Sequence, residues 1–161
     1  MDGSDLPGDG VVRLATDLAS AVASVVDPEI PVLTIADLGV LRSVETEDGH
    51  VVVTITPTYS GCPAMRQIED DIGSALLREG VESFEVRVSH NPVWTTDWIS
   101  EDGIRKLSEF GIAPPTGPDE VLCPRCEADR PRLVARFGST ACKALMVCSS
   151  CGEPFDYFKQ F

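Results

Sequence analysis

Apolar side chains recur at two different periods along the first two thirds of the chain, and each change of period marks an element. Val11, Leu14, Ala15, Leu18, Val22 and Val25 fall on one face of a helix. That helix must end before Asp27-Pro28, because a proline disfavours the helical conformation in the residue ahead of it. Val40–Glu45 and the alternating run Val51, Val53, Ile55 flank Asp48-Gly49, a dipeptide that predicts a two-stranded hairpin. Met65, Ile68, Ile72, Ala75 and Leu76 return to the helical period and stop at Gly80, and Phe84, Val86 and Val88 alternate again. Ser100, followed by Glu101 and Asp102, reads as the capped start of a short helix containing Ile104 and Leu107 and ending at Gly111. The order αββαβα predicts an α+β class fold, a small two-layer domain.

Beyond Gly111 the pattern lapses. Ala113-Pro114-Pro115-Thr116-Gly117-Pro118 cannot continue a helix or a central strand, so residues 113–118 are expected to link a domain at 11–112 to a second unit at 119–161. The Gly/Asp-rich residues 1–10 are expected to be disordered. The second unit holds Cys123-Pro124-Arg125-Cys126 and Cys148-Ser149-Ser150-Cys151, separated by 21 residues. Two C-x-x-C turns at hairpin distance bring four thiolates to the corners of a tetrahedron, which predicts a zinc ribbon. A single iron takes the same four sulfurs, so spacing leaves Zn²⁺ and Fe both open. A closed four-thiolate shell has no position for substrate, so the metal is expected to be structural. A segment this short needs that contribution to fold.

Charge changes the picture for partners. Residues 1–118 hold 20 acidic against 7 basic side chains, and residues 119–161 hold 6 of each, so the whole net charge of −13 sits on the first domain. Such a surface repels phosphate backbones, and no nucleic-acid partner is expected. No stretch approaches 18 apolar residues, which predicts no membrane span. The start Met1-Asp2-Gly3-Ser4-Asp5 lacks the basic and apolar regions of a signal peptide, so a cytoplasmic protein with reduced thiols, rather than two disulfides, is expected.

One cysteine stands apart. Cys62 lies in Thr56-Pro57-Thr58-Tyr59-Ser60-Gly61-Cys62-Pro63, between the second strand and the second helix. Pro63 suits the first helical position, which would put Cys62 at the N-cap. The helix terminus is then expected to lower its thiol from about 8.5 towards 7. The alternative is a small buried cysteine under a turn. His50, in the hairpin turn, and His90, after the third strand, suggest no Cys–His dyad, so cysteine-dependent hydrolysis of a thioester is disfavoured. Asp27 and Glu29, held extended by Pro28 and Pro31, either are loop-solvated or line a site. Trp94 and Trp98 read as core anchors.

In this order, Asp27-Pro28-Glu29, Asp37-Leu38-Gly39, Thr58-Tyr59-Ser60-Gly61-Cys62-Pro63 and Trp94–Trp98 resemble the SufT-like iron–sulfur assembly family over residues 11–112. The ribbon, Phe137–Lys143 and the tail Pro154–Lys159 further resemble the PaaD-like (PaaJ) family of accessory subunits of the phenylacetyl-CoA epoxidase system, now over nearly the whole chain. The resemblance implies a non-catalytic accessory or maturation role in phenylacetate degradation, helping to install an iron–sulfur cluster or iron in the oxygenase or reductase subunit. A non-catalytic bridging subunit is the alternative. It further implies that Cys62 is a transient cluster or iron ligand, that Asp27 and Glu29 tune or orient it, and that Thr58 hydrogen-bonds at the rim. One thiolate cannot hold a cluster, so a homodimer, the client or an external thiol would supply the rest. Cys142, the sixth cysteine, with Lys143, reads as a packed residue, a substitute ligand or part of a docking surface, with packing or docking favoured.

Overall fold

A computed structural model of the chain describes residues 9–161, with side chains described from residue 16. The expected disorder of residues 1–8 and the packing of Val11, Leu14 and Ala15 therefore lie outside the described part. Helix α1 (Asp9–Ala23) starts inside the segment expected to be disordered and stops two residues short of Val25. Val22 and Val25 are buried, as the periodicity predicts.

Strands β1 (Leu41–Glu47) and β2 (His50–Ile55) pair antiparallel, with Glu47 opposite His50 at the turn. Asp48 and Gly49 both have positive φ, 49° and 78°, the backbone twist that a two-residue hairpin requires. Helix α2 (Ala64–Arg78) crosses over to β3 (Phe84–Val88), which lies parallel to β2. The sheet order is β1-β2-β3. Central β2 buries Val51, Val52, Val53 and Ile55. Helices α1 and α2 lie against each other, α1 touching β1 and α2 touching β3. This is the expected two-layer αββαβα unit.

Helix α3 (Glu101–Phe110) is capped by Ser100, whose hydroxyl accepts the Gly103 N–H at 2.9 Å, and is closed by Gly111 at φ 88°. The chain then differs from expectation. Ala113, expected to open a linker, is the second residue of strand β4 (Ile112–Ala113), which runs parallel to β7 (Pro154–Phe158). With β5 (Arg132–Ala135) and β6 (Lys143–Val147) these form a second sheet of order β4-β7-β6-β5.

The two sheets share a core. Ile112, Cys142 and Phe158 belong to the same buried cluster as Val22, Val53, Ile72 and Leu107. A smaller cluster of Ala113, Val121, Cys123, Ala144, Met146, Cys148, Phe155 and Tyr157 serves the ribbon alone. Trp94, 2% exposed, joins the halves: its ring centroid lies 6.2 Å from Phe158 and 6.3 Å from Phe161. The Thr96 N–H and hydroxyl both donate to the Phe161 carbonyl, at 3.3 and 3.2 Å.

Asp37-Leu38-Gly39 is a clamp on this scaffold. Asp37 accepts the Thr34 N–H at 3.0 Å and the Lys106 ammonium at 2.7 Å, and its carbonyl takes the Ser100 N–H at 2.8 Å. The Leu38 carbonyl receives the indole N–H of Trp94 at 2.8 Å. Gly39, at φ 72°, lies so close to Trp98 that a Cβ would sit 2.6 Å from that residue's carbonyl oxygen. These three residues hold the Trp94–Trp98 segment in place.

Candidate functional site

Two groups of side chains carry chemistry. In the ribbon, Cys123, Cys126, Cys148 and Cys151 bring their sulfurs within 4.8 Å of one another. Cys123 and Cys151 are 3.8 Å apart, and Cys126 and Cys148 are 3.5 Å apart. A tetrahedral ion with metal–sulfur bonds of ~2.3 Å predicts edges of ~3.8 Å, so the spacing fits a metal ion. The two turns are built alike. The Glu127 N–H bonds to the Cys123 carbonyl at 2.9 Å and the Gly152 N–H to the Cys148 carbonyl at 3.1 Å, with φ of 60° and 75° at these corresponding positions. Backbone N–H groups also point at sulfur: Arg125 at Cys123 (3.4 Å), Ser150 and Cys151 at Cys148 (3.3 and 3.4 Å). Led by the Cys151 N–H, with that of Ser150, the donors on Cys148 lower its thiol, while the Cys126 thiol 3.5 Å away is raised, so Cys148 is the sulfur of this pair that favours the thiolate metal binding needs.

The second group surrounds Cys62. Helix α2 begins one residue later than expected: Pro63 is the N-cap, in helical conformation, and Cys62 precedes it. The Ala64 N–H and the Tyr59 and Thr58 side chains still act on the thiol in the direction that favours its charged form. Its acidity is nevertheless the reverse of the expectation. Burial is the largest influence and raises the Cys62 pKa, Glu29 raises it further, and Ala64, Tyr59 and Thr58 offset only part of this. The helix terminus loses because a thiolate half-hidden from water forfeits more hydration than one N–H returns.

Asp27 and Glu29 divide their work. Asp27 is buried, and its Oδ1 accepts the N–H groups of Glu29 and Ile30, both at 2.8 Å, a closed turn of the type aspartate makes with its own backbone. These two bonds fix the turn that carries Glu29. The Glu29 carboxyl is raised, first by burial and then by Asp27, with Lys143 opposing. Tyr59 is raised to about 12, by burial and then by Cys62 and Glu29. A cleft of about 260 Å³ opens beside this loop, lined by Thr58, Tyr59, His90, Val93 and Trp94. His50 lies elsewhere, its Nδ1 2.7 Å from the Ser83 hydroxyl.

Cys142 and Lys143 offer no docking surface. Each is 5% exposed, Cys142 within the core of the first domain and Lys143 with its ammonium 3.6 Å from Asp156. Of the readings open to Cys142, the structure has the packed one, and the docking one fails because the β5–β6 connection buries it in the first domain's core. Sequence reasoning also passed over Tyr59. It stood inside the motif already noted, whereas Cys142, eighty residues from Cys62, offered no periodicity by which to pair it.

Two family models match. Residues 16–89 match one described as an iron–sulfur cluster assembly protein, and residues 109–159 match the PaaD zinc beta ribbon domain. A protein of Escherichia coli (strain K12) whose name makes it a component of 1,2-phenylacetyl-CoA epoxidase is 46% identical over 161 residues, covering 91% of this chain and 98% of its own. An Fe-S protein maturation auxiliary factor of Porphyromonas gingivalis is 34% identical over 93 residues, covering 56% of this chain and 88% of its own. Among solved structures, a domain of unknown function, DUF59, from Bacillus anthracis is similar at 30% identity with a TM-score of 0.54, over 60% of this chain and 92% of that one.

Proposed function

Since the chain belongs to the PaaD family, we propose that it is a maturation factor for the phenylacetyl-CoA epoxidase system, delivering iron or an iron–sulfur cluster to the oxygenase or reductase subunit. The observation that carries this reading is the placement of Cys62. It is the one cysteine of the iron–sulfur assembly domain, half-buried against that domain's core together with Tyr59, where Ala64, Tyr59 and Thr58 favour its thiolate and Glu29 opposes it. A half-buried thiol whose pKa is raised keeps its proton in the absence of metal, yields a thiolate once a metal has displaced that proton, and gives the metal up again when the proton returns. That is the behaviour a transient ligand needs. Asp27 orients Glu29, and Glu29 supplies negative charge beside the cargo. No residue here is assigned a catalytic step.

The four ribbon cysteines hold Zn²⁺ in this reading. Bound there, the ion supplies folding free energy and no reaction, and it keeps the ribbon, with Phe158 and Phe161, seated on Trp94. A second reading, a bridging subunit with no cargo on Cys62, draws on the exposed Leu133, Val134 and Phe137, which lie on and just after edge strand β5.

Anaerobic reconstitution with iron and sulfide tests the first reading. Wild-type chain is expected to develop visible absorption that Cys62→Ser loses, and equal loading of the two removes Cys62 from the mechanism. For the second, epoxidase components made without this chain would recover full activity when the purified chain is added back. A maturation factor leaves them inactive until iron is restored.

A further inference from the structure

Strand β5 is apolar, yet it serves neither core. It forms the outer edge of the second sheet, pairing with β6 alone, and neither buried cluster includes a residue of β5. Its register with β6 is irregular between Leu133 and Ala135. Leu133 and Val134, neighbours in sequence, are 48% and 47% exposed, whereas a strand with one face on a core would show them alternately buried and bare. Phe137, two residues past the end of the strand, is also exposed. Among the described residues, no hydrogen bond reaches the backbone of 132–135 from outside the β5–β6 pair. An edge left open in this way is a template for another strand.

Charge selects what can use that template. The ribbon holds six cations, of which Arg125 pairs with Glu153 at 2.6 Å and Lys143 with Asp156 at 3.6 Å. The other four, Arg130, Arg132, Arg136 and Lys159, have no carboxylate partner among the described residues, and they gather at β5. Arg132 opens the strand, and Arg130 and Arg136 flank it. The Lys159 ammonium donates to the Arg136 carbonyl at 3.0 Å and lies 4.4 Å from the Phe137 ring centroid.

We propose that β5 is a docking strand for an extended segment of a partner protein in which acidic and apolar residues alternate. Such a segment continues the sheet through backbone hydrogen bonds, covers the bare apolar side chains of Leu133 and Val134, and sets carboxylates against Arg132 and Arg136. A second copy of the strand is the poorer occupant, because pairing β5 with itself lays two basic segments side by side. A nucleic acid is poorer too, since its many phosphates face a chain of net charge −13. The proposal does not depend on what Cys62 carries, and it serves a maturation factor and a bridging subunit alike.

The probe is a fluorescein-labelled peptide, Glu-Val-Glu-Val-Glu-Val-Glu, titrated with the full chain, its ribbon loaded with Zn²⁺, and followed by anisotropy. Saturable binding is expected, weakened at least about tenfold by Arg132→Glu with Arg136→Glu. That double variant, altered only at exposed positions, is expected to bind Lys-Val-Lys-Val-Lys-Val-Lys instead, which wild type does not. Proline in place of the central valine of the acidic peptide is expected to cost at least about tenfold as well, because it cannot complete the ladder. Absence of binding overturns the proposal, as does equal binding by wild type and the double variant or of the valine and proline peptides. Oligothymidylate that displaces the peptide as well as unlabelled peptide does assigns the patch to nucleic acid, and wild-type dimers that the double variant lacks assign it to a second copy; either result overturns the proposal. Cys62→Ser is expected to bind the acidic peptide as wild type does, so the outcome is separate from that of the iron reconstitution.

Discussion

At the residue scale, Asp37 and Gly39 show how side chains remote from the candidate chemistry hold it in place. Burial opposes the charge on Asp37, but the Lys106 hydrogen bond and the Thr34 donors outweigh it, so its carboxyl sits below its ordinary value. A carboxylate lowered by folding stabilises above its unfolded pKa of about 3.9, and that stability disappears as pH falls through the folded value. Asp37→Asn is therefore expected to cost about 1.5–3 kcal/mol at pH 7, with the difference from wild type closing below about pH 4; urea unfolding at pH 7 and pH 3 checks both. Gly39→Ala meets two obstacles at once, a positive φ and the Trp98 backbone. It is expected to lower stability by about 2–4 kcal/mol, read as a shift of the urea midpoint. Both residues stood in a motif visible in the sequence, but the motif did not reveal that it clamps Trp94. Cys62 is the converse case. The sequence placed it correctly before a helix, and the sign of its pKa shift was illegible because desolvation depends on what covers the thiol.

At the scale of elements, the hairpin β6–β7 decides how the halves relate. β6 turns Ala144 and Met146 into the ribbon's own core, whereas Cys142 before it and Phe158 at the end of β7 enter the core of the first domain. Phe158→Ala is expected to cost about 3–5 kcal/mol and to free the ribbon from Trp94. Proteolysis should then release a stable first domain, while wild type resists at the same protease concentration. The strands β1–β3 and helices α2 and α3 were readable, because period, Asp48-Gly49, Ser100, Gly80 and Gly111 are local signals. Strand β4 was not: two residues ahead of Pro114-Pro115 become a strand only because β7, more than forty positions later, arrives beside them.

For the whole molecule, the shared core makes the ribbon's metal a matter for both halves. Structural zinc contributes an apparent ~10–16 kcal/mol to small modules of this kind, so its removal is expected to unfold the ribbon and expose Trp94, which Phe158 and Phe161 cover. A chelator titration in a Trp98→Phe background should show Trp94 emission moving to the red as zinc is released, and unchanged emission at full release counts against a load-sharing ribbon. Domain order, acidic surface, the four ribbon ligands and the candidate Cys62 were determined by the sequence alone, since each is written in neighbouring residues or in short fixed spacings. The depth of Cys62, the clamp on Trp94 and the burial of Cys142 in the first domain's core were decided only by the tertiary structure. Each depends on residues tens of positions apart being buried together, and burial, unlike period or spacing, is a property of the packed chain.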